Sequence, residues 1–306
     1  MNFAGRMNSF IFKGKDVFDA IDAYKKMEGI THLEFNYPEH IEGYDLNKIK
    51  AAMGDLKVNG LAMRFRDLFT NGEFTNPDES IRRKAIQMTK DAADVCRELG
   101  GSVITVWLAF DGYDYPFQAD YELKWNQIMD AFREIADYAP DMKFSIEYKP
   151  FEPRNYSLID SVGTTMLMIE EIDRPNVGAT LDFCHMVMKH DGPAFGLSLA
   201  ARKKKLFGLH MNDGYSQMDS GMIFGSVNLA HAMEFVYYLK KYSYDGVVFF
   251  DTFPVREEAQ AETQANIDAF RKISEAVDRV GVDRIDEIVS EQNGISAQNL
   301  VLSMLK

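Results

Sequence analysis

Four short segments in the second half of the chain each carry a carboxylate or an imidazole at the end of an apolar run. They are Phe144–Pro150 with Glu147, Thr180–His185 with Asp182, Gly208–Asp213 with His210, and Phe249–Thr252 with Asp251. A single acid at such a place is ordinarily a helix cap or a solvated loop residue. Four ligand-type residues at four successive strand ends make that explanation poor. Three carboxylates gathered at one place cannot all stay ionised without a counter-charge. A divalent cation supplies it, and carboxylate oxygens with one imidazole suit Mn²⁺ first, then Mg²⁺, Co²⁺ or Zn²⁺. Glu147, Asp182, His210 and Asp251 are therefore the expected metal ligands.

For these residues to meet, the runs that carry them must be neighbouring parallel strands. Eight apolar, β-rich runs alternate with helical patterns: Phe3–Phe10, His32–Tyr37, Gly60–Arg66, Val103–Phe110, Phe144–Tyr148, Gly178–Phe183, Phe207–Met211 and Val247–Asp251. Most are continuous rather than alternating, as expected of strands covered on both faces. Between them Val17–Met27, Ser80–Leu99, Tyr121–Tyr138, Thr164–Ile172, Leu229–Tyr242 and Ala259–Val280 show amphipathic spacing, with Asn76 or Asp78 available to cap the second. Eight alternations predict an α/β protein with a closed (β/α)₈ TIM barrel, whose active residues belong at the carboxyl ends of the strands. A doubly wound sheet of similar size ordinarily announces itself by G-x-G-x-x-G after the first strand, and only Gly5 and Gly14 stand there. No linker or repeat marks a boundary. The barrel is expected over residues 1–282, with a C-terminal helical extension over 283–306 that breaks at Asn293-Gly294.

Composition narrows the class of function. The chain has 306 residues, and 47 acidic against 34 basic residues give a net charge of −13, which repels phosphate backbones and anionic membranes. No nucleic-acid or membrane partner is expected. Hydrophobic residues at 46% suffice for a packed core, so wholesale disorder is excluded. Two cysteines, Cys96 and Cys184, cannot build a disulfide framework, and no signal-peptide layout opens the chain. A cytoplasmic protein is expected.

Several stretches carry a resemblance. Glu147-Tyr148-Lys149-Pro150-Phe151-Glu152-Pro153 resembles the E-x-K-P-x-E-P signature of the xylose isomerase-like barrels, and Asp182-Phe183-Cys184-His185 their acidic-x-x-His segment. Trp107–Gln118 resembles the W…D-G…(Y/F)-P-x-Q loop of bacterial L-rhamnose isomerases, and His210–Tyr215 with Gly225-Ser226-Val227 is similar to their seventh-strand region. The resemblance spans strands four to eight, about half the chain. It implies a metal at Glu147, Asp182, His210 and Asp251. It also implies a second ion at His185, Asp219 and a following aspartate, but Gly221 stands at that last position, so one firmly held ion is expected. The family's ring-opening histidine has no match in the first three strands. Arg64 and Arg66 stand at the third strand's end instead.

The chemistry implied is a metal-dependent isomerase or epimerase that interconverts sugars by enediol proton transfer or a hydride shift. Glu147 or Asp251 is the expected base. Lys149, two residues beyond Glu147 on an extended strand, points to the same side and would polarise a substrate oxygen, unless a salt bridge to Glu152 or another carboxylate engages it. His185 is expected to contact substrate or support the metal. Trp107 and Phe110 offer apolar platforms, and Asp111, Gln118, Asp213, Asp219 and Arg64 complete the expected substrate-binding set. His32, His40, His190 and His231 read as surface or structural residues.

A different class keeps the same site: the catalytic subunit of C-glycoside deglycosidases, a carbon–carbon lyase acting on a 3-oxo-C-glycoside beside a small β-rich subunit. In either case the exposed tail and the loop Phe110–Phe117 suit an oligomer contact, in a homo-oligomer or with that subunit. A DNA-repair endonuclease on the same barrel conflicts with the charge and the few histidines, and a non-catalytic sugar-binding protein would leave the ligand set unexplained.

Overall fold

The computed structural model describes all residues, Met1–Lys306. Eight strands form a closed, all-parallel barrel: β1 Asn2–Arg6, β2 Ile30–Tyr37, β3 Lys57–Met63, β4 Val103–Val106, β5 Lys143–Glu147, β6 Val177–Asp182, β7 Leu206–His210 and β8 Val247–Phe249. Each pairs with its neighbours in sequence, and β8 closes on β1 through Asn2 beside Val247 and Ala4 beside Phe249. Parallel pairing forces every connection to return along the outside, and helices with one apolar face serve. They are α1 Asn8–Ile11, α2 Val17–Tyr24, α3 Leu46–Met53, α4 Glu79–Glu98, α5 Tyr121–Tyr138, α6 Val162–Ile172, α7 Phe183–Lys189, α8 Pro193–Arg202, α9 Leu229–Lys241 and α10 Ala259–Val280. The tail forms α11 Val282–Ser290 and α12 Gly294–Met304, which bury Ile285 and Met304.

Apart from β2, the strands stop earlier than the apolar runs do. The first run predicts a strand to Phe10, but the chain leaves the barrel at Met7, whose carbonyl accepts from the amides of Phe10 and Ile11. Arg6 rather than Phe10 thus ends β1. The fourth run likewise ends at Val106, so Trp107 is the first residue past the strand. In the third, Arg64 follows the last strand residue, its amide donating to the Tyr37 carbonyl at 2.8 Å. Four helices were also hidden, α1 among them at the end of the first run. α7 follows β6 without a break, because Asp182 is both the last strand residue and the helix cap. α3 and α8 have eight and ten residues and begin at Asp45 and at Gly192-Pro193. Asp78 caps α4 through the Ser80 amide, and Asn76 in turn accepts from the Asp78 amide.

Candidate active site

The carboxyl ends of β5 to β8 bring four ligand-type side chains together. Glu147 closes β5, Asp182 closes β6, His210 closes β7, and Asp251 lies two residues past β8. Ligand atoms from all four lie within 4.8 Å of one another, and none of the four residues is more than 7% exposed.

His210 sits between two carboxylates. Its Nδ1 is 2.9 Å from Glu147 Oε1 and its Nε2 is 3.1 Å from Glu34 Oε1. Burial alone would push the imidazole down, but Glu147 and Glu34 hold it protonated well above its usual range. Glu147 is the converse: burial would raise it, and the His210 imidazolium brings it down to about 2. Burial pushes Asp182 up to about 7, with the Asp219, Glu147 and Asp251 carboxylates adding to the rise against the pull of His185. Burial would lower His185, yet Asp182 and Asp219 raise it to about 9.

This donor set fits a divalent ion. Three buried carboxylates and one imidazole are hard-to-borderline ligands, and a double positive charge would offset the repulsion that lifts Asp182. Glu34 behind Nε2 leaves Nδ1 as the free ligand atom of His210, the carboxylate–histidine arrangement that fixes a ligating tautomer. Asn212 ties three strand ends: its Nδ2 donates to Asp182 Oδ2 at 3.0 Å and to the Asp251 carbonyl at 3.1 Å, while its Oδ1 accepts from the Cys184 amide. The His185 amide donates to Asp182 Oδ1 at 2.9 Å. Arg6 Nε donates to Asp251 Oδ1 at 2.6 Å.

Above the cluster opens a cavity of about 200 Å³, lined by Arg64, Trp107, Lys149, His185 and Asp219 among others. Lys149 makes the ion pairs that its position allows, to Glu152 at 2.9 Å and Asp219 at 3.1 Å, and its ammonium lies 5.2 Å from the Trp107 ring centre. Burial would lower Lys149, but Asp219 and Glu152 raise it. The His185 ring meets the Tyr148 carbonyl through Nδ1 and Asp219 Oδ2 through Nε2, at 2.8 and 3.3 Å.

Three residues expected to touch substrate are used elsewhere. Asp111 is buried and accepts from the amides of Glu73, Phe74 and Thr75 and from the Thr75 hydroxyl. Asp213 is buried too, and accepts from the amides of Gly214, Val227 and Asn228. Gln118 is exposed, its Oε1 taking the amides of Asp114 and Tyr115. Asp213 and Gln118 shape loops rather than the cavity wall, and Asp111, committed to its loop, lines only a small void beside Trp107, Glu147 and Lys149. At Gly221 the backbone has φ +53°, and a Cβ would lie 2.3 Å from the Phe253 ring, so no side chain fits there.

Arg6, Glu34 and Asn212 escaped the sequence reading. Glu34 had a visible signal, an acid between Leu33 and Phe35 in a strand, which demands a partner when buried. Arg6 offered the same kind of signal, a charge within the run Phe3–Phe10.

Residues 20–273 match the family described as the xylose isomerase-like TIM barrel. A xylose isomerase of Thermus thermophilus is 31% identical over 196 residues, 62% of this chain and 51% of that protein, so the chain spans about half the length of this curated relative. A solved L-ribulose 3-epimerase superposes with a TM-score of 0.74 at 16% identity, covering 94% of this chain and 97% of that one. A D-tagatose 3-epimerase-like protein superposes with 0.73 at 17% identity, covering 90% and 99%. At such identities these two solved structures show the shared barrel fold.

Proposed function

The chain belongs to the xylose isomerase-like TIM barrel family, and we propose that it is a divalent-metal-dependent sugar isomerase or epimerase working by enediol proton transfer. The observation that carries the reading is the convergence of Glu147, Asp182, His210 and Asp251 at the mouth of the barrel. The names of the relatives, a xylose isomerase and two 3-epimerase-type proteins, support the sugar class. Mn²⁺ is the ion proposed.

A bound ion would supply Lewis-acid polarisation of a substrate's adjacent carbonyl and hydroxyl. The chain's own groups do the rest. Glu147 and Asp251 both line the cavity, from β5 and from beyond β8, and either carboxylate can take a proton from a sugar carbon. Arg6 fixes the Asp251 carboxylate through Nε. The Lys149 ammonium, anchored by Glu152 and Asp219, donates to a substrate oxygen as it gains negative charge. Trp107 provides an apolar wall for the C–H face. Buried, unpaired Cys96 and Cys184 support a reducing cytoplasmic setting, and exposed Tyr115 and Phe117 support an oligomer contact through the loop that carries them.

The test uses metal-stripped protein reloaded with Mn²⁺ or Co²⁺ and a panel of free aldoses and ketoses in D₂O. Turnover with deuterium at the reacting carbon is expected, and turnover without it replaces proton transfer by a hydride shift. Glu147→Gln and His210→Ala should each lower metal affinity at least about 10-fold, the low end of what loss of even a supporting partner costs. Unchanged metal content in both variants overturns the site. Activity confined to a 3-oxo-C-glycoside beside a small partner subunit replaces the isomerase by the lyase.

A further inference from the structure

Four lysine or arginine side chains line the cavity, and they are not equally engaged. Lys149 is paired with Glu152 and Asp219, and Arg66 with Glu39 at 2.7 Å. Arg64 has no carboxylate partner. Half-buried at the end of β3, it spends one nitrogen, Nη1, on the carbonyl of its own neighbour Met63 at 3.2 Å, and its guanidinium lies 5.9 Å from the Trp107 ring centre. Arg6, about nine-tenths buried, uses Nε on Asp251, while its Nη1 is buried with no hydrogen-bond partner. The Arg6 guanidinium lies 4.8 Å from the Phe253 ring centre and 5.7 Å from that of Phe12.

A guanidinium is a rigid plane of five donors that matches the paired oxygens of a carboxylate or phosphate. A neutral sugar hydroxyl takes one such donor and leaves the charge uncompensated. Aromatic walls lower the local dielectric, which makes an unpaired cation costly and an arriving anion strongly attracted. Arg64 and the unpartnered Nη1 of Arg6 stand at the ends of β3 and β1, whereas Glu147, Asp182 and His210 stand on β5 to β7; Arg6 also reaches Asp251, the fourth member of that set, through Nε. The cavity thus has a cationic side at β1 and β3 that adjoins the ligand cluster at Asp251.

We infer that the substrate is an anionic sugar, whose carboxylate or phosphate is held by Arg64 with the free Nη1 of Arg6 as a second donor. The sugar part of this assignment rests on the function proposed above, and the anionic part on Arg64 and Arg6 alone.

Calorimetry on the Mn²⁺-loaded protein tests it. The probes are D-galacturonate against D-galactose and D-fructose 6-phosphate against D-fructose, at low and high salt. The anionic member of at least one pair should bind about 100-fold or more tightly than its neutral counterpart. That preference should fall between 50 mM and 500 mM salt, because the attraction of a half-buried charge is partly screened. The pair that shows it tells carboxylate from phosphate. Arg64→Gln should collapse the preference towards unity and Arg64→Lys should restore part of it, with circular dichroism checking the fold of each variant. Equal affinity for both members of both pairs overturns the inference, as does a preference that survives in a folded Arg64→Gln protein or is indifferent to salt in the wild type. Binding is read without turnover. An Arg64-dependent anion preference with no isomerisation therefore removes the proposed reaction and leaves the anion site, and neutral-sugar turnover with no preference does the reverse.

Discussion

His40 is buried just beyond the carboxyl end of β2, with Nδ1 accepting from the Asn36 amide at 2.8 Å and Nε2 lying 2.7 Å from Asn8 Oδ1. Because the amide can only donate, Nε2 carries the single proton and the ring is neutral. Burial pushes its pKa down to about 4. The unfolded chain protonates His40 as pH falls through about 6.5, before the folded protein does, so the stability it contributes is present above that pH and is lost towards pH 4. Between pH 7.5 and 5.5 the wild type should lose on the order of 1 kcal/mol more than His40→Gln, measured by urea unfolding. An equal pH slope in both would show that the ring titrates freely. The same question of what faces what separates Asp111 and Asp213 from Asp182. All are buried acids near strand ends, but the first two are surrounded by backbone amides and the third by other carboxylates.

Loops and strand ends carry the next level. The Glu73–Thr75 segment has no regular structure of its own, and the Asp111 side chain takes three of its amides. Asp111→Ala would leave those buried donors unpaired at about 1 kcal/mol or more each, so a loss of at least about 3 kcal/mol is expected by denaturant unfolding. A loss below about 1 kcal/mol would mean that water replaces the carboxylate. On β7, Gly208 is there for want of space: a Cβ would sit 2.5 Å from Thr180 Oγ1 on β6. Close approach of these two strands holds Asp182 and His210 side by side in register. The long helices α4, α5 and α10 were legible to within a residue or so at each end, since each spans several turns of apolar periodicity between caps. α7 was not, because it is short, mostly apolar and follows β6 without a break. The ends of β1 and β4 were overrun for the related reason that apolar residues continue after the pairing stops.

At the scale of the whole molecule, a metal at the mouth would join β5, β6 and β7 to the segment after β8, so ion binding and barrel stability are linked. Mn²⁺ at about 100 times its Kd should stabilise the fold by about 2.7 kcal/mol, read as a raised Tm that a chelator reverses. Binding requires Asp182 ionised and His210 neutral, and both give up protons to the solvent when the ion arrives. With Asp182 at about 7 and His210 raised, affinity should rise with pH and fall below about pH 7. The Tm gain at pH 8 should therefore exceed that at pH 6, and an equal gain would place the ion elsewhere. No helix is long and apolar enough to cross a membrane.

The barrel, its strand order and the four ligand-type residues at its mouth were determined by the sequence itself, because apolar periodicity and the positions of charged residues along strands are local properties of the chain. What each polar group meets was decided only by the closed barrel. Residues as distant in sequence as Arg6 and Asp251, or Glu34 and His210, become partners when β8 closes on β1 and the interior fills. No spacing records such pairs. Whether Asp111 serves a sugar or a loop, and which arginine is left without a carboxylate, depends on contacts that exist after the strands have met.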